Sequence, residues 1–101
     1  MDLRLSEAAA FVAGASSGLG RAIARQLLRE GCRVAICSRN TERVSATRQW
    51  LMSETGCDPD AIMALTADVT IEEDVRAAVQ AASDQFGGLN LLVTNAGGPP
   101  T

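Results

Sequence analysis

Seven residues near the start, Gly14-Ala15-Ser16-Ser17-Gly18-Leu19-Gly20, constrain this chain more than any others. They follow the apolar stretch Ala8–Ala13 and lead into an amphipathic stretch from Arg21 to Glu30. A strand that feeds a glycine-rich turn and then a helix is a device for holding phosphate. Glycine lets the backbone turn sharply and approach an anion closely. The unpaired N–H groups and the positive end of the helix dipole then face that anion. The spacing is G-x-x-x-G-x-G. It is not the G-x-G-x-x-G dinucleotide fingerprint, and no G-K-[ST] follows, so it is not a P-loop. A glycine turn can also serve only close strand–helix packing. Its position after the first strand and before the first helix favours phosphate, and so a chain built around a dinucleotide.

The rest of the chain alternates in the same way. Short apolar runs stand at Ala9–Ala13, Val34–Cys37, Ile62–Leu65 and Leu89–Val93, separated by helical patterns. In the first helix Leu19, Ile23 and Leu27 recur every four residues, with Arg21, Arg25 and Arg29 on another, solvated face and Gly31 as the stop. The second helix is predicted over Thr41–Thr55, with Val44, Thr47 and Leu51 inward and Gly56 as its stop. For the third, Thr70 and Glu73 fit an S/T-x-x-E capping box, and Val75, Val79, Ala82 and Phe86 form a stripe ended by Gly87-Gly88. The order is βαβαβαβ. The strands lack polar alternation, as expected when helices cover both faces of a parallel sheet. Right-handed crossovers then give a Rossmann-type doubly wound α/β half-sheet in spatial order 3-2-1-4. After the fourth run come only Asn95 to Thr101, which would leave Leu91, Leu92 and Val93 on an open edge. Such edges are normally covered, so these 101 residues are expected to be the first part of a longer domain.

Composition excludes some functions. The net charge is −3 with no basic cluster, which argues against nucleic acid as a partner. No run approaches the ~18 apolar residues of a membrane span. Asp2 and Glu7 beside only Arg4 read against a secretory leader. Cys32, Cys37 and Cys57 show no CxxC spacing and read as reduced thiols of a cytoplasmic protein, without a metal role. All nine basic residues are arginine, and Lys, Tyr and His are absent, which removes most of the usual general acids and bases.

Three further segments carry chemistry. In NAD-binding folds an acidic residue about 20 positions past the glycines accepts the ribose 2′-hydroxyl. Here that place holds Ser38-Arg39. A guanidinium would grip a 2′-phosphate that a carboxylate would repel, which points to NADP(H). The bland alternative for Arg39 is a solvated charge opening a loop. Asp68-Val69 ends the third strand; Asp68 could accept the adenine amino group or equally begin the turn into the next helix. Asn95-Ala96-Gly97 leaves the fourth strand at the carboxyl edge, where small residues would admit a ribose or nicotinamide. Asn95 could instead only tie neighbouring strands. Trp50 reads as partial core or surface contact, and Glu72-Glu73-Asp74 as charge complementing a helix dipole.

Jointly these residues resemble the short-chain dehydrogenase/reductase family over nearly the whole chain. Its T-G-x-x-x-G-x-G motif is similar to Ala13–Gly20, its N-N-A-G motif to Thr94-Asn95-Ala96-Gly97, its aspartate after the third strand to Asp68 and its NADP-type arginine to Arg39. The texture, particularly G-A-S-S-G-L-G with N-A-G-G-P, is similar to the 3-oxoacyl-(acyl-carrier-protein) reductase-like members. Ala13 and Thr94 depart from the motifs without touching the glycine scaffold. The resemblance implies hydride transfer between NADP(H) and a carbonyl or secondary alcohol, a small-molecule substrate and a homo-oligomer. It also implies that Gly14, Ser16, Ser17, Gly18, Leu19 and Gly20 cradle the phosphates, Ser38 and Arg39 select NADP, Asp68 and Val69 hold adenine, and Asn95, Ala96 and Gly97 meet the ribose side. The family's catalytic asparagine, serine and Y-x-x-x-K pair fall beyond the N-A-G motif, so no catalytic residue is expected here. Asn95 is not that asparagine. A non-catalytic nucleotide-binding or interaction module on the same fold is the alternative. A methyltransferase-like nucleoside binder is disfavoured because no acidic ribose ligand follows the second strand.

Overall fold

The computed structural model describes residues 8–15 and 18–94. Four strands, β1 (Ala9–Ala13), β2 (Arg33–Ser38), β3 (Ile62–Thr66) and β4 (Leu91–Thr94), alternate with three helices, α1 (Gly18–Arg29), α2 (Thr41–Thr55) and α3 (Glu72–Phe86). A 3₁₀ turn, Pro59–Ala61, precedes β3. All pairings are parallel and the order is β3-β2-β1-β4, as the alternation and crossover rule predict.

The period of two along each strand builds two cores. Ala10 and Val12 of β1, Val34 and Ile36 of β2 and Ile62 of β3 meet Ala24 and Leu28 of α1 and Val44 and Leu51 of α2. Ala9, Phe11 and Ala13 of β1, with Ala35 and Cys37 of β2, meet Ala78, Ala82 and Phe86 of α3. Helices α1 and α2 therefore cover one face and α3 the other. Phe11 is fully buried at the centre of the second core. Arg33 ties the sheet to the end of α3: its guanidinium donates to the Phe86 carbonyl at 2.8 Å and lies 5.4 Å from the Phe86 ring.

The second helix follows its expected bounds and face, with Val44, Thr47 and Leu51 buried. Asn40 caps its start by accepting from the Arg43 amide, and Gly56, at φ 65°, closes its end. The other two helices correct the sequence reading. In α1 the buried residues are Gly20, Ala24 and Leu28, one position away from the expected Leu19-Ile23-Leu27 stripe. Leu27 still packs on the core, but Leu19 is 67% exposed. The reason is clearance: a Cβ at position 20 would lie 2.5 Å from the Gly14 carbonyl oxygen. Only the smallest residues let α1 sit that close to β1. In α3 the buried set is Ala78, Ala82 and Phe86, with Val79 at its flank. The capping box does not form. Ile71 occupies the cap position, no side chain caps the helix, and the Thr70 hydroxyl is bonded to Asp68 instead.

The arginine face of α1 is not simply solvated. The guanidinium groups of Arg21 and Arg25 lie 4.6 Å and 5.7 Å from the Trp50 ring centroid, and Arg25 pairs with Glu54 at 3.5 Å. Half-buried Trp50 thus joins α1 to α2 by cation–π contact.

Candidate functional site

The strands end level. Ala13 pairs with Cys37 and Thr94, Cys37 with Leu65, and Ser38 with Thr66. The segments that leave β3, β2 and β1 therefore emerge side by side along one edge of the sheet. This is the carboxyl edge, where ligands of open α/β sheets bind. It brings together Asp68-Val69, Ser38-Arg39 and the glycine turn in that spatial order. Ser16, Ser17, Asn95, Ala96 and Gly97 lie outside the described residues.

The glycine turn is explained position by position. Gly14 has φ 73° and Gly18 φ 55°, both left-handed conformations that L side chains resist. Gly20 is required by the close approach to Gly14 described above. A Cβ at Gly18 would meet nothing within 4 Å, so the left-handed φ rather than crowding favours glycine there. The first N–H groups of any α-helix have no partner within it. The first turn of α1 also carries no acidic residue, whereas α2 has Glu42 and α3 has Glu72, Glu73 and Asp74. An anion at α1 would meet a positive helix end without a competing carboxylate. These features fit the diphosphate of a dinucleotide.

The next two segments are laced to each other. The Ser38 carbonyl accepts from the Ala67 amide at 2.9 Å, so Arg39 and Asp68 are the residues immediately past a hydrogen-bonded pair. The Thr41 and Thr66 hydroxyls meet at 2.9 Å and close the same gap from α2. Ser38 Oγ accepts from the Asn40 amide at 3.3 Å, and Arg39 is exposed. Asp68 Oδ1 accepts from the Thr70 amide at 2.9 Å and the Thr70 hydroxyl at 2.6 Å. Its own amide donates to Asp74 Oδ2 at 3.0 Å. Of the two sequence readings of Asp68, the turn into α3 is therefore seen directly. Those Thr70 bonds hold the Asp68 carboxyl below the usual carboxylate range, with a smaller contribution from Arg39.

Some of the apolar exposure lies at the same edge and some on the open side of β4. Among the described residues the exposed large hydrophobic side chains are Leu19, Val69, Ile71, Leu91 and Leu92. Leu19 and Val69 were expected at the site. Ile71, 48% exposed, is the residue that precedes α3. Leu91 and Leu92 belong to β4, which pairs only with β1 among the described residues.

Two of the cysteines are buried away from solvent. Burial pushes the Cys32 and Cys37 thiols up, against a smaller opposing effect of Arg33 on the first and of a Gly14 backbone hydrogen bond on the second. Both are free and buried, which makes them poor nucleophiles. Among the described residues no cluster of His, Cys, Asp or Glu could hold a metal ion, and no helix is long and apolar enough to cross a membrane.

Comparisons with known proteins agree with this geometry. The chain is 41% identical over 96 residues to a peroxisomal 2,4-dienoyl-CoA reductase of Danio rerio, covering 93% of this chain and 30% of that protein. It therefore spans less than a third of that relative's length. A variant of actinorhodin polyketide ketoreductase with NADPH superimposes with a TM-score of 0.83 at 36% identity, covering 94% of this chain and 35% of the other. A 3-ketoacyl-(acyl-carrier-protein) reductase from Brucella melitensis complexed with NADH gives 0.72 at 32% identity, covering 84% and 32%. The short chain dehydrogenase family model matches residues 8–101, and the chain belongs to that family of oxidoreductases.

Proposed function

We propose that this chain is the NADP(H)-binding portion of a short-chain dehydrogenase/reductase. The whole protein would transfer hydride between the cofactor and a carbonyl or secondary alcohol, with 3-oxoacyl compounds as the first to test. The observation that carries the reading is the acid-free start of α1 at the same level sheet edge from which Arg39 leaves β2. Similar folds occur with NADPH and with NADH, so the family alone does not decide the cofactor. Arg39 supports NADP(H), because a guanidinium at the end of β2 suits a 2′-phosphate.

In this reading the backbone of Gly14, Ser16, Ser17, Gly18, Leu19 and Gly20 holds the diphosphate. Ser38 and Arg39 hold the 2′-phosphate. Val69 offers an apolar surface to adenine, with Asp68 at its edge, and Asn95, Ala96 and Gly97 face the ribose side. The bound cofactor would supply the hydride; the residues here bind and orient it. Buried free thiols suit a reducing compartment such as the cytoplasm. A homo-oligomeric whole protein is part of the same proposal.

The test is a calorimetric titration of NADPH and NADH into the chain and its Arg39→Ala variant. A charge-assisted bond is worth about 1.5–3 kcal/mol, so the variant should lose roughly ten- to a hundredfold in NADPH affinity. NADH affinity should change little. Equal losses for both cofactors would refute the role of Arg39.

A further inference from the structure

Resting on the cofactor reading above, we propose that Asp68 is a specificity-determining residue: its carboxylate, one residue past β3, offsets the charge of Arg39, one residue past β2, and so sets how strongly the site prefers a 2′-phosphate. The geometry is fixed by the backbone. Ser38 pairs with Thr66, and the Ser38 carbonyl still accepts from the Ala67 amide at 2.9 Å. Arg39 and Asp68 are the next residues on these two tied segments.

The carboxylate is anchored there. Thr70 donates to its Oδ1 from both amide and hydroxyl, at 2.9 Å and 2.6 Å. Asp74 holds the Asp68 amide from α3 at 3.0 Å. No direct ion pair joins Arg39 to Asp68, so the carboxylate does not orient the guanidinium. It acts through space. A fixed negative charge lowers the attraction that an arriving phosphate feels at Arg39, by an amount that depends on distance and salt. A site with Arg39 alone would discriminate more sharply between the two cofactors than this one does.

Asp68→Asn isolates the charge. The Asn Oδ1 can still accept from Thr70, and the backbone amide still donates to Asp74. The probes are 2′,5′-ADP and 5′-AMP, adenosine nucleotides that differ only in the 2′-phosphate, so any contact to adenine cancels in their affinity ratio. Each is titrated by NMR at low salt into the full chain, Asp68→Asn, Asp68→Ser and Asp60→Asn. Asp60 is an exposed carboxylate before the opposite end of β3, and its variant controls for net charge. Removing the Asp68 charge should raise the 2′,5′-ADP to 5′-AMP ratio about three- to fivefold, with the gain shrinking in high salt. Asp68→Ser should move the ratio the same way, and Asp60→Asn should leave it unchanged. An unchanged or lowered ratio in the Asp68 variants overturns the proposal, as does an equal rise in Asp60→Asn. Failure of the unsubstituted chain to prefer 2′,5′-ADP would instead overturn the cofactor reading, and no variant is needed to see it.

Discussion

Gly20→Ala tests why the glycine turn has its spacing. The added Cβ would stand 2.5 Å from the Gly14 carbonyl oxygen and 3.1 Å from both Ala15 Cα and the Gly14 carbonyl carbon. All three atoms are backbone, so no side chain can swing aside. The end of β1 and the start of α1 must separate instead. Overpacking of this kind costs about 1–3 kcal/mol. The better helix propensity of alanine returns at most about 1 kcal/mol. A net loss of about 1–2 kcal/mol should lower the melting temperature of a domain this size by about 5–15 °C. Circular dichroism melts measure it. Gly18→Asn is the companion: position 18 has open space, and asparagine tolerates a left-handed φ, so it should melt within a few degrees of the unsubstituted chain. A Gly20→Ala protein as stable as its parent would refute the close-packing argument.

Two other outcomes follow from the site. The Asp68 carboxyl should titrate below its ordinary value of 3.8, and Thr70→Val should move it upward, as read by NMR. Because the folded pKa is depressed, this contribution to stability is full above the unfolded value and is lost as pH falls through the folded one. The chain, with no Tyr, Lys or His, should not accelerate NADPH oxidation by a 3-oxoacyl substrate; measurable turnover in a spectrophotometric assay would contradict that reading.

Much of the architecture is written locally. Short apolar runs separated by glycine-stopped helical patterns fix the alternation, and the right-handed crossover rule turns alternation into strand order. The helix faces are less legible. Periodicity gives weight to large side chains, so Leu19 and Ile23 outweighed Gly20 and Ala24, yet clearance against Gly14 decides which face turns inward. The capping box at Thr70 failed through competition: a hydroxyl two residues from an aspartate can close an Asx turn instead of capping a helix. The Arg21–Trp50 stacking joins side chains on two successive helices, and no local pattern encodes it. At the site, Arg39 and Asp68 could each be named from their place after a strand. Their adjacency needed the pairing of β2 with β3.

The account rests on a dinucleotide lying across the carboxyl edge of the sheet. An amide-resolved NMR titration of the chain with NADPH tests it most directly. The account predicts shifts concentrated at Gly14, Gly18, Leu19, Gly20, Arg39, Asp68 and Val69, with α3 beyond its first turn undisturbed. Saturating millimolar NADPH that leaves those amides unmoved, or moves only residues remote from that edge, would contradict it.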